Sequence, residues 1–171
     1  MSIILGIDPG SRFTGIGVID IENGNIAHLH HEVIKTNTTS LSERLRIIYH
    51  GVQEALNQYQ PQMIAIEEVF FSCNAQSALK LGQARGAAIT ACANHGLSVA
   101  EYSARQIKQS VVGYGAAGKS QIQHMVKALL KLNTTPPSDA ADALAIAICH
   151  CHQYRVLDKL NRARITAGDG A

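Results

Sequence analysis

Four carboxylates stand where chemistry can use them. Asp8 closes the apolar run Ile3–Ile7, and Glu67 closes the apolar run Met63–Ile66. An acid at the end of an apolar strand is often a solvated boundary residue, so neither residue alone identifies a site. Asp139 and Asp142 change the balance. They lie three apart in Pro136-Pro137-Ser138-Asp139-Ala140-Ala141-Asp142. The prolines set a helix start, and the i,i+3 spacing puts both carboxylates on one helix face. The helix dipole accounts for one acid there. Two like charges repel, and Ala143–Ile148 is almost wholly apolar, so this helix packs inward. Two acids on one face of a buried helix call for a cation. Four hard oxygen donors without His or Cys suit Mg²⁺ or Mn²⁺ rather than zinc. A pair of such ions about 3.5–4 Å apart clamps the attacking and leaving oxygens of a phosphoryl transfer and lowers the pKa of the attacking water.

These acids need a scaffold that brings them together. Ile3–Ile7, Phe13–Ile19 and Ile26–Ile34 read as three strands joined by tight turns, hence antiparallel, with Glu22-Asn23-Gly24-Asn25 as a hairpin turn. Leu41–Tyr59 is helical, with Leu41, Leu45, Ile48, Val52 and Leu56 on one stripe and Ser40 or Ser42 as cap. Met63–Ile66 is a buried strand. The crossover from the first strand favours a parallel pairing, which would deliver Asp8 and Glu67 to the same edge of the sheet. Asn74–Asn94 is a long helix closed by Gly96, and Leu97–Ala100 is a fifth strand. Helices over Ala104–Val112, Lys119–Leu132 and Ala140 to about Tyr154 follow. The expected fold is α/β: a mixed five-stranded sheet with helices on both faces, in one domain over 1–154. A polar tail, 155–171, is expected to fray.

Composition agrees with a globular chain. Of the 171 residues, 46% are hydrophobic and 16% charged, and no apolar run reaches membrane-helix length. The N-terminus lacks a signal-peptide pattern, and the four cysteines (Cys73, Cys92, Cys149 and Cys151) are unevenly spaced. Reduced thiols in the cytoplasm are expected. A net charge of +2 does not announce a nucleic-acid binder. The segment Tyr102–Ser138 says more, because it carries Arg105, Lys108, Lys119, Lys127 and Lys131 with no acid. It suits a polyanion and, on charge alone, equally suits a solvated helical surface.

The stretches ILGIDPGSRFTGIGVI, AIEEVFF, NAQSALKLGQARGAA, ARQIKQSVVGYGAAGKSQIQHMV and SDAADALAIAICH, in this order, resemble the RuvC family of bacterial Holliday-junction resolvases. The resemblance implies a ribonuclease-H-like fold and paired, metal-dependent nicking of opposing strands in recombination and DNA repair. It implies Mg²⁺, two ions per site with Mn²⁺ as a substitute, at Asp8, Glu67, Asp139 and Asp142. It also implies active-site lysines at Lys108 and Lys119, and a base-contacting aromatic at Phe70. The implied partners are four-way junction DNA, a second copy of the chain and a branch-migration helicase complex of RuvA–RuvB type. Arg105 joins Lys108, Lys119 and Phe70 as an expected DNA contact.

Other readings weigh less. Gly113–Ser120 matches the Walker pattern GxxxxGK[ST], but it follows a helix where a P-loop follows a buried strand. Asp8–Gly15 resembles the phosphate loop of actin-like ATPases, which bind nucleotide between two domains. Cys149-His150-Cys151-His152 suggests zinc, yet consecutive helical residues point apart and no second cluster completes four ligands. A non-catalytic junction-binding module would not need four acids.

Resolving a junction needs two symmetric nicks, which argues for a two-fold dimer. Ala78, Gly82, Gly86 and Thr90 make a small-residue ridge on the helix Asn74–Asn94. Such a ridge fits either a partner helix or the chain's own sheet. Leu81, Ala88 and Cys92 are expected to add apolar surface beyond one sheet-facing stripe, and this favours the partner.

Overall fold

The computed structural model describes residues 2–22, 25–68 and 74–168, with side chains as far as residue 157. Five strands form one sheet: β1 (Ser2–Asp8), β2 (Phe13–Glu22), β3 (Asn25–Lys35), β4 (Met63–Glu67) and β5 (Val99–Tyr102). Their order across the sheet is β3-β2-β1-β4-β5. β1, β2 and β3 pair antiparallel, whereas β4 runs parallel to both β1 and β5. Asn23 and Gly24, the centre of the expected hairpin turn, lie outside the described residues.

Strand alternation splits the core in two. Leu5, Ile7, Ile16, Val18, Ile64 and Ile66 face α1 (Leu41–Tyr59) and α2 (Ala75–Asn94). Ile4, Ile19 and Ala65 face α3 (Ala104–Val112), α4 (Lys119–Leu129) and α5 (Ser138–Gly168). Ser40 caps α1 through a bond from the Glu43 N–H. The inner stripe of α1 is Ile48, Val52, Ala55 and Leu56, while Leu41 at its start is exposed. Asn74 caps α2, and Gly96 follows that helix in the left-handed region.

Several expected boundaries move, among them these. β5 begins at Val99 rather than Leu97, because Leu97 still bonds back to Cys92 at the end of α2. α4 stops at Leu129: the Lys131 N–H turns back to the Ala128 carbonyl, the Leu132 N–H reaches the Lys127 carbonyl, and Lys131 takes a positive φ, a Schellman-type close. α5 does not end near Tyr154 but continues to Gly168. The run Arg155–Ala167 holds no Pro or Gly, and most of its residues are good helix formers. Nothing local stops the helix there, so the expected fraying tail begins as helix.

The ridge on α2 faces outward. Gly82, Gly86 and Thr90 are exposed, and a Cβ at either glycine would meet nothing. Ala88 and Cys92 do not supply the extra outer surface expected of them. Both are fully buried and, with Ala84 and Ala91, form the stripe that α2 lays on its own core. Burial pushes the Cys92 thiol up to about 12.

α5 lies almost in contact with the sheet backbone. Gly6 and Gly17 are cross-strand partners, as are Asp8 and Gly15. A Cβ at Gly6, Gly15 or Gly17 would run into the α5 backbone, at Ala143, Asp139 and Leu144 respectively. The three glycines form a trough in which the N-terminal half of the helix sits, and this sets the distance between its acids and those of the strands.

Candidate active site

Asp8 and Glu67 end the two central parallel strands. Alternation from Ile4 and Ala65 turns both side chains to the face that α5 covers. Asp139 and Asp142 come to the same place from the N-terminal end of α5. All four acids line one cleft of about 270 Å³. Lys108 of α3 and Lys119 at the start of α4 line it too, and Ile107, Ile122 and Ile146 form its apolar wall.

The electrostatics are those of an uncompensated acidic centre. Among the described residues, no side-chain hydrogen bond or ion pair reaches any of the four carboxylates. Burial raises the Asp8 carboxyl well above its usual range, and Asp142, Glu67 and Asp139 raise it further against the pull of Lys119. Burial also raises Glu67, with Asp142 adding to the effect and Lys108 and Lys119 opposing it. Asp142 is raised by burial first, then pulled down by Lys119 and up by Asp139. Among the described residues, no three acids have closed into a ready-made cage. Oxygen-only donors that repel one another and lack partners match the demands of a hard divalent cation.

One supporting residue was not apparent in the sequence. Arg85 of α2 donates from Nε to the Glu67 carbonyl at 3.3 Å and pairs with Glu101 of β5. It ties the end of β4 to the neighbouring strand and fixes where Glu67 emerges. Nothing in its spacing marks Arg85, because its partners are distant in sequence.

The remaining expected residues divide. Arg105 lies outside the cleft lining, exposed, with its side chain against Gly115. Phe70 falls outside the described residues. The Walker-like segment is no phosphate loop: Gly113 ends α3 with a φ of 92° and Gly118 caps α4, so the motif joins two helices. The Cys149–His152 cluster is dispersed. Cys149 and Cys151 are core residues, with thiol pKa values raised by burial. His150 bonds to the Tyr102 hydroxyl at 2.8 Å and His152 to the Ser110 hydroxyl at 2.9 Å. No helix among the described residues is long and apolar enough to cross a membrane.

Acids at the ends of both central strands and on the helix packed over them, on a sheet of this order, define a ribonuclease-H-like nuclease domain. A family model, "Crossover junction endodeoxyribonuclease RuvC", matches residues 4–150. The crossover junction endodeoxyribonuclease RuvC of Cronobacter sakazakii is 56% identical over 170 residues, covering 99% of this chain and 98% of its own. That of Tolumonas auensis is 57% identical over 160 residues, covering 94% and 92%. The solved structure of Thermus thermophilus RuvC in complex with Holliday junction substrate has a TM-score of 0.85 at 37% identity, covering 91% of this chain and 96% of that one. The chain belongs to the RuvC family of crossover junction endodeoxyribonucleases.

Proposed function

We propose that this chain resolves Holliday junctions in recombination and repair, by nicking two opposing strands with a metal-dependent centre at Asp8, Glu67, Asp139 and Asp142. The observation that carries the reading is the shared cleft, where acids from two strands and one helix meet beside Lys108 and Lys119. Two Mg²⁺ ions, with Mn²⁺ as a substitute, would supply an activated water and charge neutralisation at the scissile phosphate. The chain's own residues do the rest. Lys108 and Lys119 stabilise charge developing on phosphate oxygens. Ile107, Ile122 and Ile146 close the cleft floor to bulk water, which strengthens these interactions. Phe70 and Arg105 take the outer DNA contacts, Phe70 by stacking on an unpaired base.

The deciding test is cleavage of a mobile four-way junction with different divalent ions. Mg²⁺ and Mn²⁺ are expected to support cutting. Ca²⁺, larger and looser in coordination, is expected to support binding without cutting. Equal turnover in Ca²⁺, or full turnover in a chelator, would refute the metal assignment.

The working unit is a two-fold homodimer that receives junctions from a branch-migration helicase complex in the bacterial cytoplasm. The dimer is supported by the outward ridge of α2, where Gly82 and Gly86, one and two turns past the half-buried Ala78, leave room for a partner helix and Leu79 is 63% exposed. Gly82→Glu adds its side chain to open space, so the fold should melt within a few degrees of the parent. Light scattering should find a monomer, and nicking should fall or become one-stranded. A dimer that survives Gly82→Glu places the interface elsewhere.

A further inference from the structure

A groove beside the catalytic cleft has no role so far. Its volume is about 600 Å³, and its walls include Arg12, Phe13, Thr38, Thr39 and Arg44 without any carboxylate. Arg44 donates from a terminal nitrogen to the Thr38 carbonyl at 2.9 Å, while its buried Nε has no partner. That Nε is enclosed by protein, so the terminal nitrogens of Arg44 are the donors that can meet an anion in the groove. Arg12 is exposed, and its guanidinium has no hydrogen bond or ion pair among the described residues. The groove does not stand alone. Phe13, 45% exposed, also lines a second hollow of about 380 Å³ with Val33, Lys35, Pro137 and Asp139. Asp139 in turn lines the catalytic cleft. The hollows therefore adjoin in a row, a path from the acids past Lys35 and the open Phe13 ring to Arg12 and Arg44. Among the described residues that line the two hollows, the only acid is Asp139, which the site already uses.

We infer that this path is a second DNA-binding subsite, which holds the strand running away from the scissile phosphate. Arg12, Lys35 and Arg44 take backbone phosphates, and Phe13 stacks on a base between them. The subsite deepens the resolvase reading and rests on it. A solvated basic patch would not need an exposed aromatic at its midpoint or a place directly beside the acidic centre.

The test uses full-length protein carrying Asp8→Asn, so that DNA stays intact, and a labelled four-way junction titrated between about 50 and 200 mM salt. Arg12→Ala and Lys35→Ala are each expected to lower the slope of log K against log salt by about one, with weaker binding throughout. Phe13→Ala is expected to weaken binding roughly tenfold with the slope unchanged. In the cutting-competent background the same variants should raise KM and keep kcat. Arg12→Glu and Lys35→Glu that bind with the parent's affinity and slope would overturn the subsite. So would a fall in kcat with binding intact, which would place these residues in the catalytic machinery. A parent that binds the junction no better than linear duplex would end the resolvase reading, and the subsite with it. Both charged side chains are exposed and unpaired, so melting curves should match the parent's within about 2 °C.

Discussion

Asp8→Asn should abolish junction cleavage, by about a thousandfold or more, while junction binding in a gel shift stays near that of the parent. Asp8 is enclosed deeply enough for burial to be the main effect on its carboxyl, and the other three acids all act on it. Asparagine keeps the shape but removes the charge that a divalent cation needs. A thousandfold loss corresponds to about 4 kcal/mol of transition-state stabilisation. Affinity for DNA is carried by cationic contacts to phosphate, which the substitution leaves in place. Nicking at the wild-type rate would remove Asp8 from the centre.

The same variant makes an unusual stability prediction. Asp8, Glu67 and Asp142 have raised carboxyl pKa values in the folded protein. The fold then binds protons more tightly than the unfolded chain does. Stability of the metal-free protein should therefore fall as pH rises from the ordinary carboxyl range through the raised pKa values. Removing one charge relieves this loss. Metal-free Asp8→Asn is expected to melt above the wild type at pH 7.5, with the gap narrowing toward pH 4. A variant that melts lower at neutral pH would show that Asp8 is compensated after all.

Gly15→Val should cost both fold stability and cleavage. Gly15 lies opposite Asp8 in the sheet, and a side chain there would enter the Asp139 carbonyl and the adjoining peptide. These are backbone atoms, so no rotamer change makes room. Overpacking of this kind costs about 1–3 kcal/mol, and a β-branched residue against a helix backbone belongs at the upper end. For a chain of this size that is a drop of roughly 6–12 °C in Tm. The relief available is to lift the start of α5, which carries Asp139 and Asp142 away from Asp8 and Glu67. Cleavage should fall further than folding alone explains, measured below the melting transition. Wild-type melting together with wild-type cutting would show that the trough does not set the site.

The sequence by itself determined most of the centre. Apolar runs ending in Asp8 and Glu67 define buried strands with acids at their carboxyl ends, and a prolyl start with i,i+3 spacing puts Asp139 and Asp142 on one helix face. These are short-range patterns, fixed by strand alternation and helix pitch. The element order, the antiparallel start and the parallel β1–β4 pairing follow from the same signals. Which face of α2 turns inward was decided only by tertiary packing. Small residues recur on both sides of that helix, and Ala88 and Cys92 satisfy the core as well as an interface would. The end of α5 was likewise hidden, since a polar composition does not stop a helix that has no breaker. The glycine trough, the hold of Arg85 on Glu67 and the path past Phe13 depend on residues far apart in sequence meeting across the sheet. No local period encodes such a meeting. It exists only once α5 has settled onto β1 and β2 at the distance their glycines permit.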